Sequence, residues 1–294
     1  MSRRVAIIGP GRVGGLLAVS LSRAGYRVLA VAGGSDVARA AVTDSVAGVR
    51  DVAAPADAAA HADLLMLCVP DDAIADVARD LVRADALGER HRVVHVAGSV
   101  GLDVLDVAHR AGAGVAACHP AMTVPAGARD PDLLHGVGWA VTTAAADRGW
   151  AHELVQDLGG DPVDVPESAR VLYHAGLALG SNAVGAAAAA ARQALLGAGI
   201  RAPERFLAPL IAASVANVLR DGTSALTGPV VRGDTGTVRR HLDHLDADLP
   251  HLAETYRHLT AAVVSQAAGL APDVAADLLA ALDDSAAPRA RDDT

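Results

Sequence analysis

The stretch from Arg3 to Gly15, RRVAIIGPGRVGG, constrains the fold more than any other part of the chain. Val5-Ala6-Ile7-Ile8 is a short apolar run of the kind that forms a buried parallel strand. It runs into Gly9-Pro10-Gly11-Arg12-Val13-Gly14, which fits G-x-G-x-x-G, and an apolar helical stretch follows from Gly15 to Ala24. Strand, glycine turn and helix stand in the order a dinucleotide site requires. Gly9 permits the tight turn, Gly11 lets a pyrophosphate approach the backbone, and Gly14 lets the helix pack on the strand. The helix start offers N–H groups and a partial positive charge to phosphates. Tyr26-Arg27-Val28-Leu29-Ala30-Val31 supplies the second strand.

The following sequence keeps this alternation. Strands are expected at Leu64–Val69, Val93–Ala97, Val115–Cys118, Trp139–Thr142 and Pro162–Val165, with helices between them. This predicts a doubly wound, mostly parallel α/β sheet over residues 1–166. After Pro166 the period changes from short apolar runs to helical spacing. One long helix is expected over Glu167–Leu196, then helices near Glu204–Leu219, Thr235–Leu245, Leu249–Ala268 and Pro272–Asp283. The expected division is a dinucleotide-binding domain over 1–166, an all-α domain for substrate and dimerisation over 167–284, and a frayed polar tail over 285–294.

Composition excludes several functions. With 294 residues the chain is long enough for two domains. Its net charge is −9 and no basic patch is evident, which argues against duplex nucleic-acid binding. The sequence has no lysine, so Schiff-base and lysine acid catalysis are excluded. Cys68 and Cys118 lie in apolar runs without zinc-ligand spacing, and buried free thiols in a reducing cytoplasm are expected. The glycine motif begins within the first ten residues, so no secretory signal is expected. No membrane span is expected either; Gly185–Gly197 is alanine-rich but carries Arg192 and Gln193, and is read as a packed soluble helix.

At the end of the second strand, an acid would bond the ribose 2′-hydroxyl of NAD. Near Ala32 there is none; Gly33-Gly34-Ser35 follow, then Asp36 and Arg39. Small residues and a hydroxyl leave room for a 2′-phosphate, with Arg12 and Arg39 as its partners, which points to NADP. Asp36 is the counter-argument, since a shorter loop would give it the NAD role, and Arg39 could instead lie on a solvated helix face.

Ligands in open α/β sheets bind beyond the carboxyl ends of the strands. Those ends carry Val69-Pro70-Asp71, Gly98-Ser99 and His119-Pro120 with Thr123. Ser99 and His119 could hydrogen-bond a substrate oxygen; His95, mid-strand, reads as a core histidine. A second cluster, Tyr173-His174 and Ser181-Asn182, lies in the long helix. At about 100° per residue Ser181 falls roughly 20° and Asn182 roughly 80° from His174, so one face could present all three. His174 could donate a proton as hydride arrives, and Asn182 could hold the substrate. A third cluster, Thr227 to Thr237, opens a helix with Asp234 or Thr235 as its cap, and Arg232 could fork onto a substrate carboxylate. His244, His251 and His258 recur every seven residues but read as a solvated stripe rather than a zinc site.

With these motifs in place, GPGRVG at 9–14, CVPDDAI at 68–74, HVAGSVGLDVL at 95–105, CHPAMTV at 118–124, YHAGLALGSN at 173–182 and ALTGPVVRGDTGTVRRHL at 225–242 carry a resemblance. The chain resembles two-domain proteins that join a Rossmann-like domain to a helical domain of unknown function. These are similar to ketopantoate reductase, pyrroline-5-carboxylate reductase and the 6-phosphogluconate and β-hydroxyacid dehydrogenases. The resemblance implies an NADP-linked reductase of a small molecule, a cleft between the domains and a homodimer through the helical ones. The β-hydroxyacid dehydrogenases carry a lysine on this helix with asparagine four residues later; here the matching region has His174 and Ala178. Three functions are therefore expected to compete: reduction of a small keto acid, 2-dehydropantoate first; reduction of an imine; and a non-catalytic NADPH sensor.

Overall fold

A computed structural model describes residues 3–267 and 269–284. The first strands and helices follow the expected order: β1 (Arg4–Ile8), α1 (Arg12–Arg23), β2 (Arg27–Ala32), α2 (Asp36–Ser45), β3 (Arg50–Asp51), α3 (Pro55–His61), β4 (Leu64–Leu67), α4 (Ile74–Arg83) and β5 (Arg92–His95). Then come α5 (Asp106–Arg110), β6 (Gly114–Pro120), β7 (Gly138–Thr143), α6 (Arg148–Asp157) and β8 (Asp161–Asp164). The eight strands form one sheet in the order β3-β2-β1-β4-β5-β6-β7-β8. All neighbours are parallel except β6 and β7. The order reverses between β1 and β4, and it is there that an open sheet leaves a crevice at its carboxyl edge.

The apolar runs are continuous because both faces of the sheet are covered. Val5, Ile7, Leu64 and Met66 pack with Leu16, Leu17, Leu154 and Val155 from α1 and α6. Their chain neighbours Ala6, Ile8, Leu65 and Leu67 pack with Ala58, Ala78, Leu81 and Ala108 from α3, α4 and α5. Successive side chains thus enter opposite cores, so Val5 to Ile8 and all of β4 are apolar. The short edge strand β3 is not foreseen from the sequence. Arg50 and Asp51 are both exposed and pair only with β2, so they leave no apolar signature.

The expected single helix over Glu167–Leu196 is instead four segments. A 3-10 turn at Glu167–Ala169 leads into α7 (Arg170–Ala178), a π turn occupies Leu179–Ala183, and α8 (Val184–Gly197) follows. The wider winding of a π turn breaks the 100° step, so the angular count from His174 to Ser181 and Asn182 does not carry across it. Gly180 within that turn, and Gly185 just after it, remove the side-chain preference that would hold a regular helix there.

The chain divides into two compact units between Ala178 and Leu179. The change of period at Pro166 therefore falls before the division, and α7 belongs with the sheet. The second unit continues through α8, α9 (Glu204–Asp221), α10 (Thr235–Asp248), α11 (Pro250–Gln266) and α12 (Pro272–Asp284). Its buried core is Val230, Val238, Leu242, Val264, Leu278 and Leu282, drawn from α10, α11, α12 and the loop before them. The alanine-rich α8 packs against α9 and α11, yet no residue of α8 or α9 is fully buried. No helix among the described residues is long and apolar enough to cross a membrane. The tail expected over 285–294 lies outside the described residues.

Candidate functional site

The glycine turn separates its duties among the three glycines. Gly9 has φ +87° and gives the turn its left-handed step; a Cβ there would meet the Cys68 carbonyl oxygen at 2.7 Å and Val69 Cγ1 at 2.9 Å. A Cβ on Gly14 would overlap the Gly9 carbonyl oxygen, so Gly14 is required for the helix to sit on the strand. Gly11 is different: a Cβ there would meet nothing within 4 Å. Packing does not require glycine at 11, but close approach of a phosphate to the backbone would. The first turn of α1, Arg12-Val13-Gly14, begins here, with no side-chain cap on its N–H groups. The residues present therefore fit a dinucleotide pyrophosphate.

The end of β2 lies beside this turn, with the Gly9 N–H donating to Ala32 O at 2.9 Å. Gly33 and Gly34 both adopt positive φ and lead into α2, which Ser35 caps by accepting from the Ala38 N–H at 3.2 Å. Arg39 folds back over this turn and donates to Gly34 O at 3.0 Å. It is also held by Asp51 at 2.7 Å and Asp36 at 2.5 Å. Asp36 thus serves Arg39, and Arg39 is already neutralised by two carboxylates. Arg12 is exposed and forms no ion pair among the described residues, so it is the less committed cation at this edge.

Two and three strands along the sheet from β1, about 10–15 Å away at ordinary strand spacing, the ends of β5 and β6 hold the second half of the site. His119 at the end of β6 is partly buried, and its Nδ1 lies 2.9 Å from the Tyr173 hydroxyl on α7. His174 meets His119 edge-on, with ring centroids 5.9 Å apart. Gly98, just past β5, lies under both imidazoles: a Cβ there would overlap the His174 ring and reach His119 Nε2 at 3.0 Å. Burial first, and then the fields of His174, Arg170 and His95, push the His119 imidazole down to about 4. Near neutral pH it is an uncharged hydrogen-bond partner for Tyr173. Burial raises the Tyr173 phenol, and the charge of Arg170 opposes that rise.

His95 is the satisfied core histidine expected: its Nε2 lies 2.8 Å from Gly101 O and its Nδ1 accepts from the Ala97 N–H. Ser99 is partly buried in the same loop as Gly98, and Val69 and Pro70 follow β4 beside the glycine turn. Asn182 and Arg232 belong to the second unit, and both are exposed. Arg232 sits between Gly228 and Gly233, both at positive φ, in the turn before α10. Asp234 is the cap of α10, accepting from the Thr237 N–H at 2.9 Å. No group of three potential metal ligands occurs among the described residues, and both cysteines are free thiols.

Two side chains of the cluster are not marked by any sequence motif. Tyr173 stands out only as the neighbour of His174. The signal for Arg170 is its spacing to Tyr173 and His174, three and four residues on, which is that of one helix face.

Comparisons with known proteins agree with this architecture. Residues 2–120 match the model of a Rossmann-like domain, and residues 137–263 match that of a domain of unknown function, DUF2520. The second match begins at β7 and so includes α7. No curated protein matches the chain. Among solved structures, a Bacteroides fragilis protein provisionally assigned as an NADP oxidoreductase superposes with a TM-score of 0.74 at 20% identity, covering 88% of this chain and 97% of its own. The imine reductase of Myxococcus stipitatus, in complex with NADP+, gives 0.63 at 16% identity, covering 96% and 93%. Plasmodium falciparum pyrroline carboxylate reductase, with NADP bound, gives 0.58 at 13% identity, covering 96% of both chains. At these identities the likeness establishes a shared fold.

Proposed function

We propose that this chain is an NADP(H)-dependent oxidoreductase that reduces a small molecule at a C=N or C=O bond. The observation that carries the reading is the Tyr173–His119–His174 cluster under Gly98, in the same unit as a glycine turn open to a dinucleotide. When bound, the reduced nicotinamide would supply a hydride. The cluster's part is to deliver a proton to the heteroatom that gains the bond's electron pair. His174 and Tyr173 are the candidate donors, and Gly98 gives them room. Gly9, Gly11, Val13 and Gly14 would hold the pyrophosphate, with Gly33, Ser35 and Arg12 at the adenosine end, and Val69, Pro70 and Gly98 beside the nicotinamide.

Of the substrate classes, a cyclic imine is favoured by the fold shared with pyrroline carboxylate and imine reductases. 2-Dehydropantoate rests on the motif resemblance alone, with Ser99 and Asn182 proposed to orient the substrate and Arg232 to bind its carboxylate. The test is NADPH oxidation by purified protein with a cyclic imine, 2-dehydropantoate and NADH controls. Turnover of the imine is expected. Turnover of the keto acid alone would move the assignment to that class, and failure to bind NADPH in a titration would overturn the reading. The same proposal includes a homodimer through the helical unit, because α8 and α9 bury no residue while Phe206 and Leu219 are 59% and 83% exposed.

A further inference from the structure

Helix α7 inverts the usual rule of burial. Its buried residue is an arginine, Arg170, at 1% exposure, while Val171 and Leu172 beside it are 70% and 78% exposed. The guanidinium donates to Ala97 O at 2.5 Å and to Thr142 Oγ1 at 2.9 Å. Its Nε has no partner, and no carboxylate lies within ion-pair distance among the described residues. Asp71 and Glu167 act on it only at longer range, and the Glu167 carboxylate is occupied by the Leu102 N–H. A buried guanidinium keeps its proton, so the site contains a fixed positive charge without a counter-ion. Such a charge is costly, and an apolar side chain could cover the same sheet surface.

We propose that Arg170 is a positioning residue for the Tyr173–His119 pair, supplying the fixed positive charge against which Tyr173 releases a proton to the substrate. The inference rests on the reductase reading above. Arg170, Tyr173 and His174 are related by three and four residues, so they share one face of α7 with Cβ atoms about 5–6 Å apart. As hydride from reduced nicotinamide adds to the substrate carbon, the C=N or C=O π pair moves to nitrogen or oxygen, which takes the Tyr173 proton. Tyr173 is left a phenolate. It accepts from the Nδ1–H of neutral His119 and is stabilised by Arg170, until a proton from solvent restores it. His119 serves this step with its proton on Nδ1. The groups that face it are Tyr173, His174 and Arg170 from α7 and His95 from β5, and the one permanent charge among them is that of Arg170.

A purely structural role, tethering α7 to the sheet through Ala97 O and Thr142, is the competing account, and a titration separates them. The imidazole of His119 is followed by NMR across acid pH in the full chain, without substrate or cofactor. Arg170→Gln keeps hydrogen-bonding capacity and removes the charge; it is expected to raise the His119 titration by about one pH unit or more. Arg170→Lys and Thr142→Val retain the charge and disturb one tether each; both are expected to leave the His119 titration in place. The Tyr173 phenol should titrate higher in Arg170→Gln, and kcat should fall about a hundredfold with little change in KM. An unmoved His119 in folded Arg170→Gln overturns the proposal. Should that variant not fold, an upward shift in Arg170→Lys or Thr142→Val overturns it instead. The titration needs no turnover, so it fails independently of the reductase reading, which stands on activity and NADPH binding.

Discussion

The two units solve the same problem of burying apolar side chains in opposite ways. In the sheet unit every residue of β4 and Val5 to Ile8 of β1 are buried, with helices closing a core on each face. In the helical unit the main cluster is six side chains around α10, α11 and α12, and α8 and α9 have no fully buried residue. Phe206, Leu210, Val215 and Leu219 of α9 are exposed together with the alanine-rich α8. A helix apolar on most of its surface is stable when something covers it. The sheet strands find their cover within the chain, whereas α8 and α9 leave apolar side chains exposed, the surface through which the proposed homodimer would form. Tyr173, His174 and Arg170 lie in the sheet unit, on α7.

The comparison is broken most directly by truncating one side chain in each unit. Leu65→Ala in β4 should cost about 2–5 kcal/mol in chemical denaturation, because a fully enclosed side chain leaves a cavity. Leu210→Ala, at an exposed position of α9, should cost about 0.5 kcal/mol or less in the monomer. Both tryptophans, Trp139 and Trp150, lie in the sheet unit, so their fluorescence reports that unit while circular dichroism follows both. A Leu210→Ala cost that grows with protein concentration would show α9 to be an interface.

The next effect concerns where the chemistry lies. Gly98→Ala should displace His174 and lower kcat by about a hundredfold with folding nearly unchanged, since the overlap falls on a side chain and not on backbone. Asn182→Ala in the second unit should act on KM more than on kcat if it only holds substrate. The reverse pattern would move the reacting centre away from α7.

Acid should also strike the units unequally. Burial pushes His95 down to about 4 from an ordinary 6.5. The folded sheet unit therefore binds fewer protons than the unfolded chain between those values. Its stability is greatest above about pH 6.5 and is lost as pH falls toward 4, on the order of 2–3 kcal/mol from His95 alone. Tryptophan fluorescence during denaturation at several pH values measures this, and His95→Gln should flatten the slope. A small effect of opposite sign is expected at Gly185. A Cβ there meets nothing within 4 Å, so Gly185→Ala should stabilise α8 by about 0.5–1 kcal/mol. If the variant instead dissociates an oligomer, that glycine face is packed against a second copy.

Legibility followed the range of the forces involved. The glycine turn could be read because three residues within six positions do separate steric jobs, all local. The strands β1, β4, β5 and β6 could be read because burial on both faces demands continuous apolar runs. The helices after Pro203 and the Asp234 cap could be read for the same local reasons. Edge strand β3 could not, since two exposed charged residues form it by pairing alone. Arg39 is the instructive intermediate case. Its position after β2 was legible, but its commitment to Asp36 and to Asp51, twelve residues further on, was not. The π turn that ends the regular winding after Ala178 leaves no period of its own in so short a run.

By itself, the sequence determined that this chain has a dinucleotide-type sheet followed by helices, because turn geometry and hydrophobic period are properties of neighbouring residues. Only the tertiary structure decided that His119, Tyr173 and His174 meet at Gly98, and that Arg170 lies buried with no carboxylate in ion-pair distance among the described residues. Those contacts join residues more than fifty positions apart through the order of strands in the sheet. No local pattern encodes that order.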